Sequence, residues 1–176
     1  RAVRDTGIPF GVNVFAPNPV PVAPERYTEY ALAVQREADR FGLTLPADPI
    51  DSDDHFAAKV DLLRADPVPI VSFTFGIPGS DVIRGLQQVG SAVVQTVTSR
   101  AEAEAAAAAG VDALAVQASV AGGHSGTLTP DNPPPALPIG ELVAEITSTV
   151  GLPVIATGGL GTAADVAGVL QAGAED

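Results

Sequence analysis

A parallel α/β fold, either a (β/α) barrel or an open doubly wound sheet, is predicted by three features of this 176-residue sequence. Short β-branched runs alternate with longer segments of helical period, the pattern of βαβ units. The 18 glycines and 16 prolines fall mainly at element ends, where they punctuate the chain. Strand centres near residues 71, 94 and 114 leave room for one helix and two short loops between successive strands.

The elements follow in order. Arg1 to Thr6 reads as the tail of a helix entering a first strand, Pro9 to Phe15. Tyr27, Tyr30, Val34, Ala38 and Phe41 keep the spacing of an amphipathic helix face. Phe56, Val60 and Leu63 do the same in a second helix, expected to be capped by Ser52, Asp53 and Asp54. Val68 to Phe73 and Ala92 to Thr96 are the next strands. Ala101 to Ala109 is a strong helix former, with Ser99 as N-cap and Gly110 as stop. Ala113 to Gln117 is a fourth strand, and Ile139, Leu142, Val143, Ile146 and Val150 mark the helix after it. Pro153 to Ala156 is a fifth strand, followed by a glycine turn and a new helix. The strands are apolar almost throughout, so both sheet faces are expected to be covered.

Five such units fall short of the roughly 250 residues of a closed eight-unit barrel. The chain contains no methionine and breaks off at Gly-Ala-Glu-Asp, so it is expected to be an internal piece of a longer protein.

Composition removes several function classes. Without cysteine there is no disulfide framework, thiolate zinc site, iron–sulfur cluster or cysteine nucleophile, so redox chemistry would need a bound cofactor. A net charge of −12 with a single lysine, Lys59, argues against nucleic-acid binding. The apolar runs fall short of the ~20 residues of a membrane helix, and no signal segment opens the chain, so a cytoplasmic location without membrane contact is expected. The carboxylates lie mainly on helices and caps, so no metal site is expected.

In either architecture the C-terminal strand ends gather the ligand site. Those ends carry Asn13, Thr74, Thr96, Gln117 and Thr157. Past Gln117 the chain runs through Ala121-Gly122-Gly123-His124-Ser125-Gly126 into a loop of about twenty residues that ends near Pro138, long enough to be functional. Gly122 and Gly123 allow positive φ or close approach to a flat ligand. His124 carries an imidazole, which exchanges protons near neutral pH; it is a candidate base, or else a surface histidine. His55, at a helix start, reads as a solvated residue. Thr157-Gly158-Gly159-Leu160-Gly161-Thr162 links a strand to a helix N-terminus, where free amides favour phosphate, although glycine turns of this kind also arise for steric reasons alone. Asn13 and Gln117 either contact a heterocycle edge or satisfy neighbouring backbone.

Taken together, Pro9-Phe10-Gly11-Val12-Asn13-Val14-Phe15, Val71-Ser72-Phe73-Thr74-Phe75-Gly76, the Ala121 to Gly126 loop and Pro153 to Gly159 resemble the nitronate monooxygenase family, also known as 2-nitropropane dioxygenase. The resemblance runs over nearly the whole chain. It implies a partial TIM (β/α)8 barrel of about five parallel βα units, lacking the first two strands and the last. It further implies one incomplete FMN-binding domain over residues 1–176, with a helical insertion at about 17–67 and an active-site loop at about 118–137.

On this likeness, alkyl nitronates or nitroalkanes would be oxidised with O₂ to a carbonyl compound and nitrite, with FMN as cofactor. His124 would be the general base, Gln117, Gly122 and Gly123 would line the cofactor pocket, Asn13 would approach the isoalloxazine, and Gly158 and Gly159 would contact the phosphate. Many relatives have His where this chain has Thr74, so a second imidazole is missing. Two other readings stand beside this one: the related FMN-type enoyl-acyl carrier protein reductase, which would need NAD(P)H, and a catalytically silent fragment. Oligomeric state is not fixed by the resemblance.

Overall fold

The computed structural model describes residues 3–18, 22–50, 52–131, 133 and 136–175. Arg1 and Ala2 of the expected helix tail lie outside them, as do residues 19–21 and 51, residues 132, 134 and 135 of the expected loop, and Asp176. The order is a 3₁₀ turn (Arg4–Thr6), β1 (Gly11–Phe15), α1 (Pro24–Arg40), α2 (Phe56–Ala65), β2 (Ile70–Thr74), α3 (Ser80–Gln88), β3 (Ala92–Val97), α4 (Arg100–Ala109), β4 (Ala113–Gln117), α5 (Ile139–Thr147), β5 (Val154–Thr157) and α6 (Ala163–Gln171). The strands form one parallel sheet in the sequential order β1-β2-β3-β4-β5. Successive parallel neighbours joined by helices are the repeating unit of a (β/α) barrel, and the fold resembles part of a TIM barrel.

The register sorts the side chains into two faces, because strand residues alternate. One lateral row joins Val14, Phe73, Gln95, Leu114 and Val154 across all five strands. With Val71, Val93, Val97 and Val116 it forms the helix-covered face, packed on Ile83, Leu86, Ala103, Ala106, Leu142, Val143 and Ile146. Most of these residues are fully buried, and each large one contributes roughly 1.5–3 kcal/mol through removal from water.

The opposite face carries Asn13, Phe15, Ile70, Ser72, Thr74, Thr96, Gln117, Ile155 and Thr157. It is more open than the sequence predicts: Phe15, Ile70 and Ile155 are each exposed by 44–51%. The apolar runs are therefore covered by helices on one side only, and small polar residues take the other side where the strands end.

Local signals place the helices. Ser99 Oγ accepts from Glu102 N to start α4, and Gly110 ends it at φ +96°. The Thr162 side chain and Asp165 form a reciprocal capping box at the start of α6. The start of α2 differs from expectation. Ser52 Oγ accepts from Asp54 N and Asp53 Oδ1 from His55 N, so these side chains build a turn, and His55, at φ +54°, is the N-cap without a side-chain hydrogen bond. The expected cap residues thus lie one to three positions before the N-cap, and Phe56 N bonds the Asp53 carbonyl. Among the described residues of the expected helix tail, Arg4–Thr6 form a 3₁₀ turn. No helix among the described residues is long and apolar enough to cross a membrane.

Candidate functional site

The C-terminal strand ends form a rim whose floor is a row of hydroxyl and amide groups. Asn13 Oδ1 accepts from Ser72 Oγ (2.9 Å) and from Thr74 Oγ1 (3.1 Å), and Thr74 Oγ1 lies 3.2 Å from Thr96 Oγ1. This chain of bonds runs across β1, β2 and β3. It engages the Asn13 carbonyl oxygen twice, and the Asn13 NH₂ takes no part in these bonds. Thr74 therefore has a defined place in a hydroxyl network.

Gln117, at the end of β4, organises the loop after it. Its Nε2 donates to the His124 carbonyl (3.2 Å), and its Oε1 accepts from Gly126 N (2.6 Å). One amide side chain so closes the arc from residue 117 to residue 126. Gly126 lies directly on the floor: a Cβ there would sit 2.8 Å from Thr96 Cγ2 and 3.2 Å from Thr74 Cγ2. Only glycine fits without displacing the threonines.

His124 stands exposed on this arc, its ring edge-on to Phe75 at 6.4 Å between centroids. Phe75 in turn packs edge-on against Phe15 at 4.9 Å. Phe75 adopts φ +75°, a conformation uncommon for a bulky side chain, at the first position past β2. The three rings form a wall on the β1–β2 side of the rim.

The glycine turn after β5 closes the other side. Ala118 N donates to the Thr157 carbonyl (2.9 Å), which extends the β4–β5 pairing into the loop. Gly158 (φ +90°) packs so closely on Ala121, and Gly159 (φ +74°) on Val120, that a Cβ at either would come to 2.6 Å. The imidazole-bearing loop and the double-glycine turn thus share one rim and touch. Gly122 and Gly123 have nothing within 4 Å of a would-be Cβ, and Gly123 is at φ +81°. Beyond the turn, the Asp165 carboxylate accepts from Gly161 N, Thr162 N and Thr162 Oγ1. The Thr162 hydroxyl, then the Thr162 and Gly161 amides, hold Asp165 below the usual aspartate range.

The rim thus brings together all seven residues expected from the sequence: Asn13, Gln117, Gly122, Gly123, His124, Gly158 and Gly159. His55 lies apart, at the start of α2. Sequence reasoning reads Phe75 and Gly126 only as parts of motifs, without a role of their own, and misses the buried Glu102, which anchors the loop behind Gly126. The Ser99-x-x-Glu102 spacing signals only a helix cap. Among the described residues no cluster of three or more His, Asp or Glu side chains could hold a metal ion. A separate groove of about 590 Å³ runs along the β1 edge between Phe10, Val12, Leu62 and Val68, and shares with the rim only Asn13 and Phe15.

A parallel α/β protein resembling part of a (β/α) barrel, the architecture that places ligand sites at its strand C-terminal ends, is the class that this fold and rim define. The family model for nitronate monooxygenase matches residues 1–176, and the chain belongs to that family. It is 34% identical over 167 residues to the probable nitronate monooxygenases of Staphylococcus aureus strains MSSA476 and MRSA252, an alignment covering 94% of this chain and 47% of each relative. Nitroalkane oxidase from Streptomyces ansochromogenes superposes with a TM-score of 0.86 at 40% identity, over 98% of this chain and 50% of that one. FabK from Thermotoga maritima shares the fold, with a TM-score of 0.66 at 24% identity, over 98% of this chain and 41% of that one. The chain spans about half the length of the relatives it matches.

Proposed function

We propose that this chain forms an FMN-binding rim of a nitronate monooxygenase, which oxidises alkyl nitronates with O₂ to a carbonyl compound and nitrite. The observation that carries the reading is the contact between the Ala118–Gly126 loop and the Gly158–Gly159 turn on one rim. Two segments with glycine backbone exposed, facing a floor of Asn13, Thr74 and Thr96, suit a flat ring system with a phosphate tail. FMN, when bound, supplies the electron acceptor for the nitronate and the route of those electrons to O₂.

The residues present fit that cofactor. Gly122 and Gly123 leave open space where larger side chains would stand, so backbone approaches the ring. Asn13 would offer its NH₂ to the ring, and Gln117 would act by holding the loop backbone at His124 and Gly126 beside it. Gly158 and Gly159 precede α6, whose N-terminal dipole end favours a phosphate. Asp165 already occupies the Gly161 and Thr162 amides, so the phosphate would rest on the glycines before them.

His124 acts on the substrate. Its exposed imidazole, steadied by Phe75 and by the bond from Gln117 to its own carbonyl, takes the α-proton of a neutral nitroalkane. A preformed nitronate has already lost that proton. His124→Ala should therefore lower turnover of a neutral nitroalkane by roughly 10²–10⁴-fold, with a much smaller loss for the nitronate. Steady-state O₂ consumption with both substrates measures this, and equal losses would remove His124 from the base role. Anaerobic bleaching of bound flavin by NADH, without nitronate turnover, would favour the reductase chemistry instead.

A further inference from the structure

Glu102 makes bonds that helix capping does not require. It occupies the third position of α4 after the N-cap Ser99, where a capping-box glutamate reaches back to the N-cap amide. Here Oε2 reaches one residue further, accepting from Thr98 N (2.6 Å) and Thr98 Oγ1 (2.8 Å). Oε1 turns away from the helix altogether and accepts from Thr127 Oγ1 (2.8 Å) and Leu128 N (2.7 Å). Four donors converge on two oxygens of a side chain whose residue is only 6% exposed. Such a set suits an acceptor-only carboxylate and conflicts with an amide, whose NH₂ would face donors. Leaving any of these buried donors without a partner is costly.

The Oε1 pair leads to the rim. Thr127 follows Gly126, which sits on Thr96 and donates to Gln117, and Gln117 holds the His124 carbonyl. We propose that Glu102 is a positioning residue for the His124 loop: it ties residues 127–128 to the end of β3 and the start of α4, and so fixes Gly126 on the floor and His124 on the rim. The tie is a property of the chain itself. Its consequence for catalysis rests on the His124 reading above.

Amide hydrogen exchange in this chain, read residue by residue by NMR, tests it. Glu102→Gln should accelerate exchange at Gly126 and Leu128 at least tenfold while Ala106 and Ala107, in the body of α4, keep their rates. Thr127→Val should give at least a threefold acceleration at the same two amides, and Thr127→Ser, which keeps the hydroxyl, should restore the original rates. Thr127→Val decides the matter if Glu102→Gln does not fold. Acceleration confined to Thr98 and the first turn of α4, with Gly126 unchanged, would reduce Glu102 to a helix cap and overturn the proposal. FMN titration of the same proteins separates the two readings. At least tenfold weaker FMN binding in Glu102→Gln is expected. No uptake by any variant or the parent, with the exchange pattern as expected, would overturn the cofactor reading while supporting the positioning role.

Discussion

Gly122–Gly123 and Gly158–Gly159 face each other across one rim, yet a Cβ would meet nothing within 4 Å at the first pair and would come to 2.6 Å from Val120 or Ala121 at the second. The second pair is small because protein already fills the adjacent space. The first is small beside empty space, and steric contact within the chain does not account for it. Of that first pair only Gly123 is at positive φ. Gly122 therefore meets no steric or backbone constraint among the described residues, which is what the proposed flavin contact requires of it. The lesson is that glycine pairs of similar appearance divide into one packed between two loops and one bordered by open space.

Substitution at the packed pair should have the largest effect. Gly158→Ala adds a left-handed backbone penalty to a clash with the Ala121 backbone and side chain, and should cost roughly 3 kcal/mol in urea unfolding. A loss below about 1 kcal/mol would mean the loop moves aside freely. At the open pair the effects should be smaller and should split. Gly123→Ala should cost about 1 kcal/mol from its positive φ alone. Gly122→Ala should change stability by less than about 0.5 kcal/mol while weakening FMN uptake. Equal stability losses at Gly122 and Gly158 would erase the distinction.

The smallest effect concerns the α6 cap beside the packed pair. Asp165 titrates below the usual aspartate range because Thr162 and Gly161 donate to it. Its contribution to stability is present above the pKa of the unfolded chain and is lost as the pH falls through the lower folded value. Asp165→Asn should therefore flatten the dependence of the urea midpoint on pH in the acid range, below the usual aspartate pKa. An unchanged slope there would show that the cap contributes nothing.

The strands are legible because their signals are local. Each expected strand matches an observed one to within one or two residues at either end, since β-branched runs bounded by glycine and proline need no distant partner to be recognised. Ser99 and Gly110 frame α4 as expected for the same reason. The α2 cap falls elsewhere than expected because Ser52, Asp53 and Asp54 suit an Asx turn as well as a helix start, and here the Asp53 carboxylate takes the His55 amide in such a turn. The strands are covered on one side where two were expected, since apolar composition does not say which face stays open.

The glycine and histidine motifs are legible too, although their convergence on one rim comes from the fold. Glu102 and Phe75 are not. The bonds of Glu102 to Thr127 and Leu128 cross 25 and 26 positions of sequence, and Phe75 matters through two rings that lie 60 residues before it and 49 after it.

The central claim is that both glycine segments hold one flavin. An NMR titration of the 176-residue chain with FMN follows the Gly122, Gly123, Gly158 and Gly159 amides at once. All four are predicted to shift together along one saturating binding curve. No saturable shift, or shifts confined to one of the two pairs, would contradict the account.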